Sequence, residues 1–175
     1  MRDQQQLNNY FSQHWRGHLN LYQYSGLSLA KKIKPDEWVL DVGCGINPFK
    51  PIISNLVGID PVFVQADHQI TIEDFKTDQR FDVALCLGSI NFGNEETIKN
   101  QIKCVVNLLN PAARIYWRVN PGRRDHGNKE CQVIDFFPWS TKLLNEYADE
   151  FGFKAVEIKQ DLNNRLYCEW ARSNT

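Results

Sequence analysis

Three short stretches of this chain carry groups of the kind that grip a ligand. In Asp41-Val42-Gly43-Cys44-Gly45 an acid closes an apolar run and two glycines follow at once. Glycine has no Cβ, so the chain can bend sharply there and a ligand can approach the backbone closely. Asp60-Pro61 places a second acid 15 residues after Gly45, again at the end of an apolar run. One carboxylate can accept hydrogen bonds from two hydroxyls at once. Leu87-Gly88-Ser89-Ile90-Asn91-Phe92 follows a third apolar run; Ser89 and Asn91 offer hydrogen bonds and Phe92 a flat surface, although packing of the turn itself explains them equally well. Pro48 suits the first turn of a helix, whose free N–H groups would receive a carboxylate. The basic set Arg118, Arg123, Arg124, His126 and Lys129 could hold a phosphate or carboxylate, or simply form a solvated loop. His14 and His18, four apart, have a spacing that could ligate metal or place a base, but such residues more often flank an aromatic packing face.

These groups are separated by a regular alternation of short apolar runs and amphipathic stretches. Trp38–Val42, Leu56–Ile59 closed by Asp60-Pro61, and Phe81–Leu87 read as buried parallel strands ending at the ligand-binding turns, and Ile70–Ile72 as a weak further strand. The three- and four-residue spacing of Tyr10, Phe11, His14, Trp15, His18, Leu19 and Tyr22 predicts an amphipathic helix after a loose, Gln-rich start. Leu27–Ile33 reads as a short helix, Pro48–Ile53 as a poor one, and residues 95–109 as a longer helix with Ile98, Ile102, Val105, Val106 and Leu109 inward, stopped by Asn110-Pro111. Ala113–Val119 is a strand, residues 120–130 are a long loop, and Ser140 caps a helix to about Phe151, with Gly152 at its end. Segments 154–159 and 165–171 form a terminal hairpin around Asp161-Leu162-Asn163-Asn164. The expected fold is α/β: a Rossmann-like mixed sheet, mostly parallel, with a C-terminal antiparallel hairpin and helices on both faces. In such a sheet the turns beyond the carboxyl ends of the strands converge on one crevice. The chain is expected to be a single domain, with residues 1–36 as a helical cap on a core of residues 37–175.

The run Val39-Leu40-Asp41-Val42-Gly43-Cys44-Gly45 resembles the first motif of class I S-adenosylmethionine-dependent methyltransferases, and the likeness extends over residues 39–172. That resemblance implies S-adenosylmethionine as cofactor. It implies that Asp41, Gly43, Cys44 and Gly45 cradle the methionine part, and that Asp60, with Pro61 beside it, holds the ribose. Asp74-Phe75 looks like the third motif, an acid for the adenine amino group and an apolar cover for the ring. Leu87, Gly88 and Ser89 would then pass close to the transferred methyl, with Ser89, Asn91, Arg118 and Arg123 as candidate contacts to the acceptor. Asp82 occupies the position of an acid that commonly opens its strand and is read as structural. Two departures stand out: Asn47 replaces a third glycine, and residues 60–70 are too few for the usual helix, which leaves either a gap at the adenine wall or a place that Phe63 or Phe75 fills.

A dinucleotide site is the other reading of a glycine turn after a strand, but Asn47-Pro48 stands where its third glycine belongs and no phosphate loop is present. With 20 basic and 21 acidic side chains the net charge is -1, so no global field draws the chain to nucleic acid, and a small-molecule acceptor is expected. The five cysteines are scattered without a metal-ligand spacing, and no apolar run is long enough for a membrane helix; a soluble, cytoplasmic protein without structural metal is the expectation. The competing functions are a methyltransferase, a non-catalytic cofactor-binding scaffold on the same fold, and an oxidoreductase.

Overall fold

The computed structural model describes residues 3–17, 22–122 and 129–172. Its elements in chain order are α1 (Gln4–Gln13), β1 (Val39–Val42), β2 (Leu56–Ile59), β3 (Phe81–Leu87), α2 (Glu95–Val106), β4 (Leu109–Val119), α3 (Thr141–Glu150), β5 (Phe153–Gln160) and β6 (Leu166–Arg172), with 3-10 turns at Leu27–Lys32 and Lys129–Val133. The strands form one six-stranded sheet in the order β2-β1-β3-β4-β6-β5. β1 pairs in parallel with β2 and β3, and β3 with β4, while β6 runs antiparallel to both β4 and β5. The carboxyl ends of the four parallel strands therefore lie side by side.

Alternation along the strands divides the core between the two faces of the sheet. Leu40, Ala84, Cys86, Ile115, Trp117, Cys168 and Trp170 point to the face covered by α2 and α3. Val39, Val83, Leu85, Tyr116 and Tyr167 point to the other, which is covered by Leu29 of the first 3-10 turn and by Phe49 and Ile53. The helical cover is thus unequal, with two α-helices on one side and short turns on the other. Trp117 sits at the centre of the thicker side, its ring 4.7 Å from Trp170 and 6.1 Å from Trp139. α3 begins where the Ser140 hydroxyl accepts the Leu143 N–H at 3.1 Å. Ser140→Ala should lower stability by about 1 kcal/mol, the usual cost of a lost N-cap, measured by urea unfolding.

Several local expectations are corrected. α1 starts within the Gln-rich segment because Asp3 caps it and side-chain amides bond four residues apart, Gln4 to Asn8 at 2.7 Å and Gln5 to Asn9 at 3.2 Å. It ends at Gln13, so His14 and Trp15 lie beyond its last turn, and His18 and Leu19 lie outside the described residues. Pro48–Ile53 makes turns and no helix, since Pro51 supplies no N–H to continue one; the helix N-terminus expected for a carboxylate is absent. Ile70–Ile72 forms no strand, and β2 gains a single bridge, Ile59 to His68. α2 stops at Val106, and Leu109 begins β4 by pairing with Phe81. The register then jumps to Val83 opposite Arg114, so Pro111 falls in a bulge where no ladder N–H is needed.

Candidate functional site

A cavity of about 400 Å³ opens where the carboxyl ends of β1, β2, β3 and β4 meet. Asp41, Gly43, Cys44 and Gly45 border it from β1, and Asp60 and Pro61 from β2. Leu87, Gly88, Ser89 and Asn91 border it from the end of β3, and Arg118 from β4. The N-terminal arm supplies the opposite wall through Leu7, Phe11, His14, Trp15 and Tyr22. Arg123, Arg124 and His126 lie outside the described residues, while Lys129 opens the second 3-10 turn.

Asp60 ties the site together. Its Oδ2 accepts the Gly45 N–H at 3.0 Å, and its Oδ1 accepts the N–H groups of Val62 at 2.8 Å and Phe63 at 3.1 Å. The glycine turn after β1 is thus clamped to the turn after β2 through one buried carboxylate. Of roughly four lone-pair positions on a carboxylate, three are already used, which leaves room for about one further hydroxyl where the sequence suggested two.

Asp41 is the opposite case. It is buried, and among the described residues its carboxyl meets no hydrogen-bond donor. Burial first, and the charge of Asp60 second, push it up to about 7. Three N–H groups donate to the Asp60 carboxyl, a support that Asp41 lacks. Burial also raises the Cys44 thiol, with Asp41 and Asp60 adding to the effect, so Cys44 is a neutral wall group and not a nucleophile.

Two glycines are required by close approach. Gly43 has φ +70°, and a Cβ there would meet the Ser89 Cβ at 2.4 Å; Gly45 has φ +57°, and its Cβ would meet the Trp15 indole at 2.9 Å. Ser89 therefore seats the β3 turn on the β1 turn, and its buried hydroxyl has no partner among the described residues. The amide of Asn91 donates to the Gly88 carbonyl at 3.0 Å and accepts the Asn120 N–H at 3.0 Å, which stitches the turns after β3 and β4 together. Asn91, a candidate acceptor contact in the sequence, thus has both its oxygen and its nitrogen engaged in holding loops. Asn91→Ala is expected to cost about 1 to 2 kcal/mol in urea unfolding through these two bonds.

The Asp74-Phe75 expectation is corrected. The turn at residues 71–74 sends Phe75 into the main core, while Asp74 is exposed and bonded to Thr71 at 2.9 Å. Glu73 borders the cavity instead, with Ile70, Thr71 and Ile72. Neither Phe63 nor Phe75 lines it: Phe63 packs edge-on to Trp15 at 5.4 Å, and Phe75 lies 5.3 Å from the His68 ring. Gln101 of α2 was missed. It is 3 % exposed and reaches the same lobe, donating to Glu73 at 3.0 Å, while its own Oε1 is buried without a partner among the described residues. The signal was a polar side chain inside the apolar stripe Ile98, Ile102, Val105 of an amphipathic helix.

The described residues contain no group of three or more His, Cys, Asp or Glu placed to hold a metal ion. His14 stands at the cavity rim, with its ring 6.0 Å from that of Tyr10.

No family model and no curated protein sequence matches this chain. Solved structures do. Magnesium protoporphyrin IX methyltransferase from Synechocystis PCC 6803, with bound S-adenosylmethionine, superposes with TM-score 0.70 at 14% identity, over 99% of this chain and 98% of that one. The chain has the class I methyltransferase fold. An amino pentose methyltransferase of calicheamicin biosynthesis from Micromonospora echinaspora shares that fold with TM-score 0.64 at 15% identity, over 99% of this chain and 98% of that chain. The Burkholderia thailandensis 1,6-didemethyltoxoflavin-N1-methyltransferase, with S-adenosylhomocysteine bound, gives 0.66 at 16% identity over 87% and 80%. Within the methyltransferase fold the glycine turn, Asp60 and the β3 turn of this chain converge on one cavity. No helix among the described residues is long and apolar enough to cross a membrane.

Proposed function

We propose that this chain is an S-adenosylmethionine-dependent methyltransferase acting on a small-molecule acceptor. The observation that carries the reading is the clamp of Gly45 to Asp60 beneath a cavity bordered by an unpaired buried acid and two glycines of positive φ. The groups present suit the cofactor. Gly43 and Gly45 leave open backbone for the methionine part, and Asp41 offers negative charge to a positively charged ligand. Asp60 has room for a ribose hydroxyl. The lobe of Ile70, Ile72 and Glu73, with the unpartnered Gln101 Oε1, has the apolar walls and polar edge that suit a purine.

When bound, the cofactor supplies a methyl group on a sulfonium, already activated for displacement. The chain has to orient an acceptor in line with it and exclude water, and needs no covalent residue for that. Leu87, Gly88 and Ser89 border the middle of the cavity, between the Asp60 end and the Arg118 end, and the aromatic arm around Phe11 and Trp15 closes it from above. The similar solved enzymes are named for acceptors as unlike as a porphyrin, an amino pentose and a toxoflavin precursor, all small molecules. That range supports a small acceptor here, and a reduced cellular compartment suits the five free thiols.

Calorimetric titration with S-adenosylmethionine, S-adenosylhomocysteine and NAD tests the reading. Micromolar binding of the first two and none of NAD is the expected result, followed by acceptor-dependent formation of S-adenosylhomocysteine in an acceptor screen. Absence of binding by both sulfur compounds would remove the proposal.

A further inference from the structure

Arg118 is a buried cation with part of its hydrogen-bonding capacity unspent. Its side chain is 8% exposed, its Nε donates to Asp161 Oδ2 at 3.2 Å, and the Tyr22 ring covers the guanidinium at 4.1 Å from centroid to Cζ. Asp161 is otherwise occupied with the β5–β6 turn, where its Oδ1 accepts the N–H groups of Asn163 at 2.8 Å and Arg165 at 2.9 Å. The two Nη groups of Arg118 have no acceptor among the described residues, and Arg118 borders the cavity. The side chain is nearly buried, but its Nη groups are not among the fully buried unpaired atoms, so water reaches them from the cavity and an acceptor on a ligand would take that water's place. Nε is committed to Asp161 and one face to Tyr22, so what remains is the end-on fork of Nη1 and Nη2. That fork matches the paired oxygens of a carboxylate or a phosphate.

Its place along the sheet says which ligand it would meet. Asp60, Gly43, Ser89 and Arg118 stand at the ends of β2, β1, β3 and β4, and Arg118 is in register with Leu87. Neighbouring strands are about 4.8 Å apart, so Arg118 lies roughly 14 Å across the sheet from the Asp60 end and about one strand beyond the β3 turn. Phe92 and Phe136 flank that region with flat apolar walls. On the reading that the cofactor's ribose lies at Asp60, Arg118 is on the acceptor side. We propose that the acceptor is an anion, a small, flat carboxylate or phosphate ester, and that Arg118 anchors its charged group.

Wild-type protein saturated with S-adenosylhomocysteine is titrated with benzoate, phenyl phosphate and the uncharged benzamide. The expected result is that at least one anion binds ten-fold or more tightly than benzamide, and that Arg118→Lys removes this preference while S-adenosylhomocysteine affinity stays within about twofold. Benzoate alone would mark a carboxylate acceptor, and phenyl phosphate alone a phosphate ester. Equal binding of benzamide, no binding of either anion, or an undiminished anion preference in a folded Arg118→Lys protein would overturn the proposal. The wild-type comparison stands even if the variant fails to fold. Should S-adenosylhomocysteine itself not bind, the cofactor reading fails, while the same three titrations on the ligand-free chain still report on Arg118.

Discussion

Asp41→Asn is expected to make the ligand-free protein more stable at pH 8 and to impair its hold on the cofactor. Asp41 titrates at an ordinary 3.8 in the unfolded chain and at about 7 in the folded one. The folded state therefore binds the proton more tightly, so stability from this group is fullest below pH 4 and declines as pH rises towards 7. A gap of about three pH units corresponds to about 4 kcal/mol, the largest penalty the wild type would carry above pH 7. Asparagine keeps the size and removes the charge, so urea unfolding should show variant and wild type close together at pH 4 and separated by as much as about 4 kcal/mol at pH 8. On the proposed function, the same carboxylate would meet the sulfonium and amino charges of the cofactor. Its loss should weaken S-adenosylmethionine by about 2 kcal/mol, roughly thirtyfold. Wild-type affinity should also fall as pH drops below 7, because binding must then expel the proton. A variant less stable than wild type at pH 8 would contradict the assignment.

The second large effect is expected from Asp60→Ala. Removing this carboxylate strands the N–H groups of Gly45, Val62 and Phe63 at the base of the cavity. Stranded donors cost about 1 to 3 kcal/mol each where water cannot reach them, and the cavity lets water reach part of this set. A loss of about 2 to 4 kcal/mol in urea unfolding follows. Cofactor affinity should fall as well, so the alanine variant alone does not isolate a ribose contact. Asp60→Asn keeps one oxygen acceptor and should recover part of the stability. Unfolding within about 0.5 kcal/mol of wild type for Asp60→Ala would show that the clamp does not hold the turns.

What could be read in advance followed the strength of the local signal. β1, β2 and β3 are apolar runs closed by glycine or an acid, and each lies where its run lies. α3 and the terminal hairpin were equally legible, since Ser140, Gly152 and the Asp161-Leu162-Asn163-Asn164 turn are strong stop and start residues. The segment between Pro61 and Arg80 was not. It holds one bridge and several turns, and whether Glu73 or Asp74 faces the cavity is decided by the turn at residues 71–74, which periodicity does not encode. β4 was read short because Asn110-Pro111 looks like a stop, and only the pairing of Leu109 with Phe81 shows that the chain is already extended there. At the site, Asp41, Gly43, Gly45 and Asp60 were visible as a motif. The three hydrogen bonds spent by Asp60, the lone acid at Asp41 and the arrival of Gln101 from α2 depend on tertiary contacts that no spacing records.

The stitch made by Asn91 has a mechanical consequence. It locks the turns after β3 and β4 to each other, and the Phe137 N–H to Asn91 carbonyl bond at 2.8 Å and the Trp139 indole to Ile90 carbonyl bond at 2.9 Å fasten the same piece to the segment before α3. That side of the cavity is one stiff jaw. The arm at residues 4–17 faces it from outside the main core, resting through Leu7, Tyr10 and Phe11 on a small separate cluster with Phe92, Ile134 and Phe136. If the chain acts as proposed, acceptors of different thickness should be accommodated through the separately packed arm, whereas the position of an acceptor's polar group should be set by the stitched turns.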